Sequence, residues 1–204
     1  MPKSLQKTSL LEVPYFQQTR HATCGPAALM MVFKYWDPCF ELSRAAETQI
    51  WRQSRSLLFF GATLQYRLAT IAKKHGYITE IYQQTIPSAT LNNIFIKPAK
   101  KANIPIYHIK TFKPIFQKAL QKKIPPLVLL NIKPIIGENV YHWLVITGLD
   151  DHNIYVNDPY IPKHHAIKEK KHSPIKHHIF SEALMINHIG FFHIQPAIVL
   201  IQKK

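Results

Sequence analysis

The run CGPAALMMVFKYW, from Cys24 to Trp36, carries a single charge, Lys34. A helix over such a run is apolar on nearly every face, so it has to be surrounded by other elements rather than laid on a surface. The rest of the chain must therefore supply neighbours on several sides of it, and the helix becomes the centre of the fold. Pro26 suits the first helical turn, where its missing N–H costs no hydrogen bond, and Asp37-Pro38 stops the pattern. Cys24 is thereby set at a helix N-terminus, where the backbone favours an anion.

The 204 residues suffice for one sizeable core. The expected division is a leading segment, 1–12, whose first residues are mobile, and a single domain, 13–204. With 15 prolines against 6 glycines, the chain reads as a loop-rich α+β protein. Leu42, Ala46 and Ile50 predict a second helix over Glu41 to Gln53. Leu64, Leu68, Ile71 and Ala72 predict a third over Thr63 to His75, with Gly76 as its C-cap. A strand is expected at Tyr77 to Gln83, a turn at Ile86 to Ser88, and short pieces broken by Pro98, Pro105 and Pro114, including a strand at Ile104 to Lys110. Leu127 to Ile132, His142 to Leu149, Ile154 to Val156 and Ala197 to Gln202 predict an antiparallel sheet. The organisation is helices first and sheet second, with the central helix of the N-terminal part packed on the C-terminal sheet.

Charge and targeting signals narrow the class. The formal net charge is +15. The basic residues run from Lys3 to Lys204 without an arginine-rich helix or an RNA-binding signature, so nucleic acid is not the expected partner. No apolar run approaches the roughly 20 residues of a membrane span, and no secretory signal is visible, so a cytoplasmic location is expected.

The two cysteines, Cys24 and Cys39, invite a disulfide. A helix rising about 1.5 Å per residue between them would hold them about 20 Å apart, against a limit of about 7 Å between Cα atoms. Cys24 is instead read as a thiol with chemistry. A thiol attacks a carbonyl only as the thiolate, and a free one has a pKa of about 8.5, so a neighbouring imidazolium is required. His142 opens a strand in YHWLVITGLDDHNIYVNDPY, where a rigid backbone can aim its ring. The ring then needs an acceptor: Asp158 lies after the next strand, Asn157 competes with it, and Asp150 and Asp151 sit at the far hairpin turn. Gln18, or Gln17 after one residue of slip, could donate to an oxyanion together with the Cys24 N–H.

The pattern VPYFQQTRHATCGPAAL followed by YHWLVITGLDDHNIYVNDPY resembles the papain-like cysteine peptidases of the bacteriocin-processing, double-glycine leader family, family thirty-nine of the cysteine peptidases, and their stand-alone bacterial relatives. ETQIWRQSRSLLFFGATLQYRLATIAKKHGY extends the likeness over most of the chain from Val13. The resemblance implies a papain-like fold with Cys24 as nucleophile, His142 as base, Asp158 as orienting acid and Gln18 in the oxyanion role. It also implies a peptide or protein substrate, no cofactor and no metal. The transporter-linked members carry membrane spans and a nucleotide-binding domain, and neither is present in these residues. An inactive binding module and an acyltransferase or amidase on the same scaffold are the alternative readings. KHHAIKEKKHSPIKHH, from Lys163 to His178, fits no closed zinc site and reads as a solvated basic loop. Trp143 reads as core packing rather than a substrate platform.

Overall fold

Helix α1 (Cys24–Trp36) is placed as its composition demands, with Gly25 to Phe33 buried without interruption. The computed structural model describes residues 10–56, 61–84, 89–160, 171–186, 188–189, 192–193 and 195–204. Helix α2 (Arg44–Ser54) starts at Ser43, whose side-chain oxygen accepts the Ala46 N–H at 3.2 Å, an ordinary N-cap. Helix α3 (Gln65–Lys74) stops at Gly76, whose φ of +90° lets the Tyr77 N–H return to the Ala72 carbonyl. All three helices pack on one another.

The remaining elements in chain order are β1 (Ile78–Gln83), α4 (Ala89–Lys101), β2 (Ile106–His108), α5 (Lys113–Gln121), β3 (Leu127–Asn131), α6 (Lys133–Ile136), β4 (Tyr141–Leu149), β5 (Asn153–Asn157), β6 (Ser173–Lys176), α7 (His177–Met185), β7 (His188–Ile189), β8 (Phe192–His193) and β9 (Ala197–Gln202). A seven-stranded sheet runs β2-β1-β9-β3-β4-β5-β6, and β7 pairs with β8 apart from it. The protein is thus an α+β fold, with α1 packed against β4.

Several expectations need adjustment. The two strands of the first half, β1 and β2, join the same sheet as the later ones, and they pair in parallel while the other pairs of that sheet are antiparallel. The last strand, β9, makes this possible by lying between β1 and β3, so that Val199 faces Ile81 on one side and Leu127 on the other. Pro98 does not end a helix: α4 runs through it, and only the last turn forgoes the N–H that proline lacks. Pro114 sits in the first turn of α5, where it is tolerated. The basic stretch is not all loop, because 173–176 form β6 and 177 begins α7. Its residues 163–170, the expected turn at Ile86 to Ser88 and the first residues, 1–9, for which the sequence predicts mobility, lie outside the described residues.

The end of the leading segment is docked rather than loose. Leu11 is 6% exposed, and its N–H reaches the Thr147 carbonyl at 2.7 Å. Glu12 pairs with Lys171 at 3.2 Å. No helix among the described residues is long and apolar enough to cross a membrane. Cys24 and Cys39 are both free.

Gly25 shows how tightly the head of α1 is seated. A Cβ there would lie 3.1 Å from Thr63 Cβ, 3.1 Å from Trp143 Cδ1 and 3.2 Å from Leu68 Cδ1. Crowding from three side chains at once leaves little room to relax. Gly25→Ala is therefore expected to destabilise the fold by about 1–3 kcal/mol, read as a lower urea midpoint at unchanged m-value.

Candidate active site

Cys24 opens α1, and the chain reaches it through Ala22, whose φ of +61° is the left-handed conformation that a non-glycine residue seldom takes. The turn is held from within by the Thr23 hydroxyl, which donates to the Arg20 carbonyl at 2.8 Å. Thr23 makes no side-chain cap on α1, so the first-turn N–H groups of the helix are not claimed by it. Cys24 and Ala22 both line a cleft of about 450 Å³ with Thr63, Leu129, Val140, His142 and Tyr160 among its walls.

His142, the second residue of β4, is 4% exposed and stands beside Cys24. Its Nε2 meets Asp158 Oδ1 at 2.7 Å, which leaves Nδ1 for the thiol. Asp158 Oδ1 also accepts the Tyr160 N–H at 2.9 Å, an Asx-turn that fixes the carboxylate after Pro159. Tyr160 places its ring edge-on to the imidazole, with centroids 6.0 Å apart.

Which of Asn157 and Asp158 faces His142 is decided by a β-bulge. At the hairpin end Leu149 pairs with Ile154 and Gly148 with Tyr155, but further along Ile146 pairs with Val156 and Val145 with Asn157. Thr147 is the extra residue. Continued by one step, this register sets Asp158 opposite Leu144, on the face of the sheet that also carries His142. Without the bulge, Asn157 would take that face. As built, the Asn157 side chain instead donates to the Val13 carbonyl at 2.9 Å and accepts the His172 N–H at 2.9 Å. Asp150 is engaged at the far turn by the N–H groups of His152 and Asn153 and by the Tyr155 hydroxyl.

Gln18 rather than Gln17 lines the cleft. Its N–H donates to the Pro159 carbonyl at 2.9 Å, and its Nε2 donates to the Arg20 carbonyl at 2.9 Å. A carbonyl cannot accept from Oε1, so the amide is held with its donor end toward Arg20. Gln17 is exposed. Trp143 is core, 1% exposed, with its indole N–H on the Thr63 carbonyl at 2.9 Å.

Electrostatics follow from these contacts. Burial by itself pushes the Cys24 thiol up, but the His142 charge, the bond to that ring and the N–H groups of Trp143 and Gly25 outweigh it, so the pKa is lowered. Burial by itself pulls the imidazole down, while Asp158 and the thiolate raise it further, so the net direction is up. The two groups favour a thiolate–imidazolium pair. Among the described residues no group of three His, Cys, Asp or Glu side chains could hold a metal ion.

Sequence reasoning passed over Tyr15, whose hydroxyl donates to the Asp158 carbonyl at 3.0 Å, and Tyr160. The Asp-Pro-Tyr triplet was a usable turn signal for the latter. It also passed over Glu47, a buried acid of α2 that receives the Thr19 N–H at 2.9 Å and the Thr19 hydroxyl. An acid in a helical first turn gives no sequence hint of such a partner.

The model of the family described as Peptidase_C39 like family matches residues 10–178. Curated proteins give no match. Two solved structures are similar along nearly the whole chain. One is a double glycine motif protease from an AMS/PCAT transporter in complex with the leader peptide, 16% identical, covering 98% of this chain and 99% of that one, with a TM-score of 0.50. The other is described as a C39-like peptidase from Bacillus anthracis, 14% identical with the same coverage of 98% and 99%, and a TM-score of 0.51. At these identities the likeness is one of fold.

The pKa directions predict a window for thiol reactivity. The lowered Cys24 pKa keeps the thiolate as pH falls below the ordinary value of about 8.5, and it is lost only when pH falls through the lowered value. The raised His142 pKa keeps the imidazolium above the ordinary value of about 6.5, and it is lost as pH rises through the raised value. Iodoacetamide alkylation of Cys24, followed by mass spectrometry, should therefore stay fast at neutral pH. In Asp158→Asn the pair loses its anion, and the acid limb of the profile should move to higher pH.

Proposed function

The chain belongs to the Peptidase_C39 like family, and on that premise we propose that it is a cysteine peptidase that hydrolyses a peptide or isopeptide bond through an acyl-enzyme at Cys24. The observation that carries the reading is that Cys24 and His142 line one cleft, with His142 Nε2 on Asp158 Oδ1 at 2.7 Å. Residues 13–204 act as one peptidase domain. A solved neighbour that holds a leader peptide supports a peptide as the substrate class.

The chemistry runs as follows. The Cys24 thiolate attacks the scissile carbonyl carbon, and the carbonyl π-electrons move to oxygen. The first-turn N–H of Cys24 and the Gln18 amide donate to that oxyanion, which develops fully only in the transition state. The imidazolium of His142 gives its proton to the departing amine as the C–N bond breaks, leaving a thioester on Cys24. Neutral His142 then takes a proton from water, hydroxide adds to the thioester, and the carboxylic acid leaves as the thiolate is restored. Asp158 stays ionised and holds the ring in the orientation that serves both steps.

An electrophilic peptide probe, a peptidyl acyloxymethyl ketone, tests the assignment. Labelling is expected at Cys24, absent in Cys24→Ala and slowed at least about a hundredfold in His142→Ala. A wild-type chain that takes the label no faster at Cys24 than at Cys39 would overturn the reading. Product analysis with added amines then separates hydrolysis from acyl transfer.

A further inference from the structure

Glu47 is a fully buried carboxylate, 0% exposed, for which the chemistry above has no use. Among the described residues no cation pairs with it. Both of its oxygens are instead directed at one residue: Oε1 accepts the Thr19 N–H at 2.9 Å and Oε2 the Thr19 hydroxyl. A buried carboxyl needs its oxygens hydrogen-bonded, and both of these bonds go to the same residue, so the arrangement holds Thr19 by its backbone and its side chain together. Thr19 is the neighbour of Gln18 in the chain.

The Gln18 segment is fixed on its other sides as well. Its own N–H is held by the Pro159 carbonyl, next to Asp158, and its side-chain amide by the Arg20 carbonyl. The Arg20 carbonyl is in turn shared with the hydroxyl of Thr23, directly before Cys24. Of these ties, Glu47 supplies the one that comes from α2, which is otherwise remote from the cleft chemistry. We infer that Glu47 is a positioning residue: by clamping Thr19 it holds the Gln18 amide where it can donate to the oxyanion. This rests on the peptidase reading above.

The role can be separated from plain structural support because alkylation and acylation make different demands on the site. Displacement of iodide from iodoacetamide by the Cys24 thiolate forms no oxyanion. Attack of the same thiolate on 4-nitrophenyl acetate forms a tetrahedral oxyanion, expels 4-nitrophenolate and leaves an acetyl group on sulfur. Both reactions are run on the full chain carrying Cys39→Ser, so that Cys24 is the only thiol. Gln18→Ala should slow acylation about a hundredfold. Glu47→Ala should slow acylation at least about tenfold while alkylation stays within about twofold. Added to Gln18→Ala, Glu47→Ala should have no further effect on acylation. Glu47→Gln keeps an acceptor for the Thr19 N–H and should retain most of the rate.

Equal slowing of both reactions in Glu47→Ala, or a full additional loss in the Gln18→Ala background, would overturn the inference. A reference chain that is alkylated but not acylated counts against the peptidase reading instead. In that case the side-chain amide resonances of Gln18 decide the clamp by themselves: displacement or broadening in Glu47→Ala, with recovery in Glu47→Gln, supports it. Unchanged resonances overturn it.

Discussion

One inserted residue in β4, Thr147, sets the register on which the site depends. Side chains alternate between the faces of a sheet, so a shift of one residue exchanges every face beyond it. The bulge sits between the hairpin turn and His142, and it gives Asp158 to the imidazole and Asn157 to the opposite side. The bulge is itself anchored. The Thr147 carbonyl accepts the Leu11 N–H, and its hydroxyl meets His172 Nδ1 at 2.9 Å and donates to the Tyr155 carbonyl at 3.2 Å. Gly148 beside it has no side chain, and a Cβ there would come within 2.5 Å of Leu10 Cδ2. Leu10 and Leu11 thus pack on the bulge that sets the register.

The carboxylate and imidazole this register brings together are both buried, at 9% and 4% exposure. Removing either one from such a pair leaves the other desolvated and alone, at a cost of about 3–5 kcal/mol. The pair is tolerable because each member has further contacts. Asp158 is fixed by the Tyr160 N–H, and His142 by the thiol. The thiol meets the same bargain: burial opposes its ionisation, while the imidazolium and the N–H groups of Gly25 in α1 and Trp143 in β4 favour it. Charge separation within the site is therefore stable only while α1, β4 and the Asp-Pro-Tyr turn stay in place together.

Preorganisation extends to the loop before Cys24. Tyr15 reaches the Asp158 carbonyl, Gln18 the Pro159 carbonyl, Thr19 the Glu47 carboxylate and Thr23 the Arg20 carbonyl. These bonds tie the loop to the Asp-Pro-Tyr turn, to α2 and to itself, so its backbone is held in one arrangement. The left-handed Ala22 is accommodated within this network, whose many ties over-determine the backbone.

The α+β class, the buried helix with Cys24 at its head, the strand that opens at His142 and the Gly76 stop were all legible in the sequence, because each rests on local periodicity or on the backbone habits of proline and glycine. The four residues of interest could also be nominated, through a spacing pattern shared with a known family. What the sequence left open was every choice between neighbours: Gln17 or Gln18, Asn157 or Asp158. Tertiary structure put Gln18 in the cleft wall and Asp158 against the His142 ring, through the Pro159 and Arg20 carbonyls and through a bulge. It also placed β9 between strands from the two halves of the chain and set Glu47 beneath the Gln18 loop. Adjacent residues have nearly the same local propensities, so only long-range pairing, which depends on register and on contacts remote in sequence, can tell them apart.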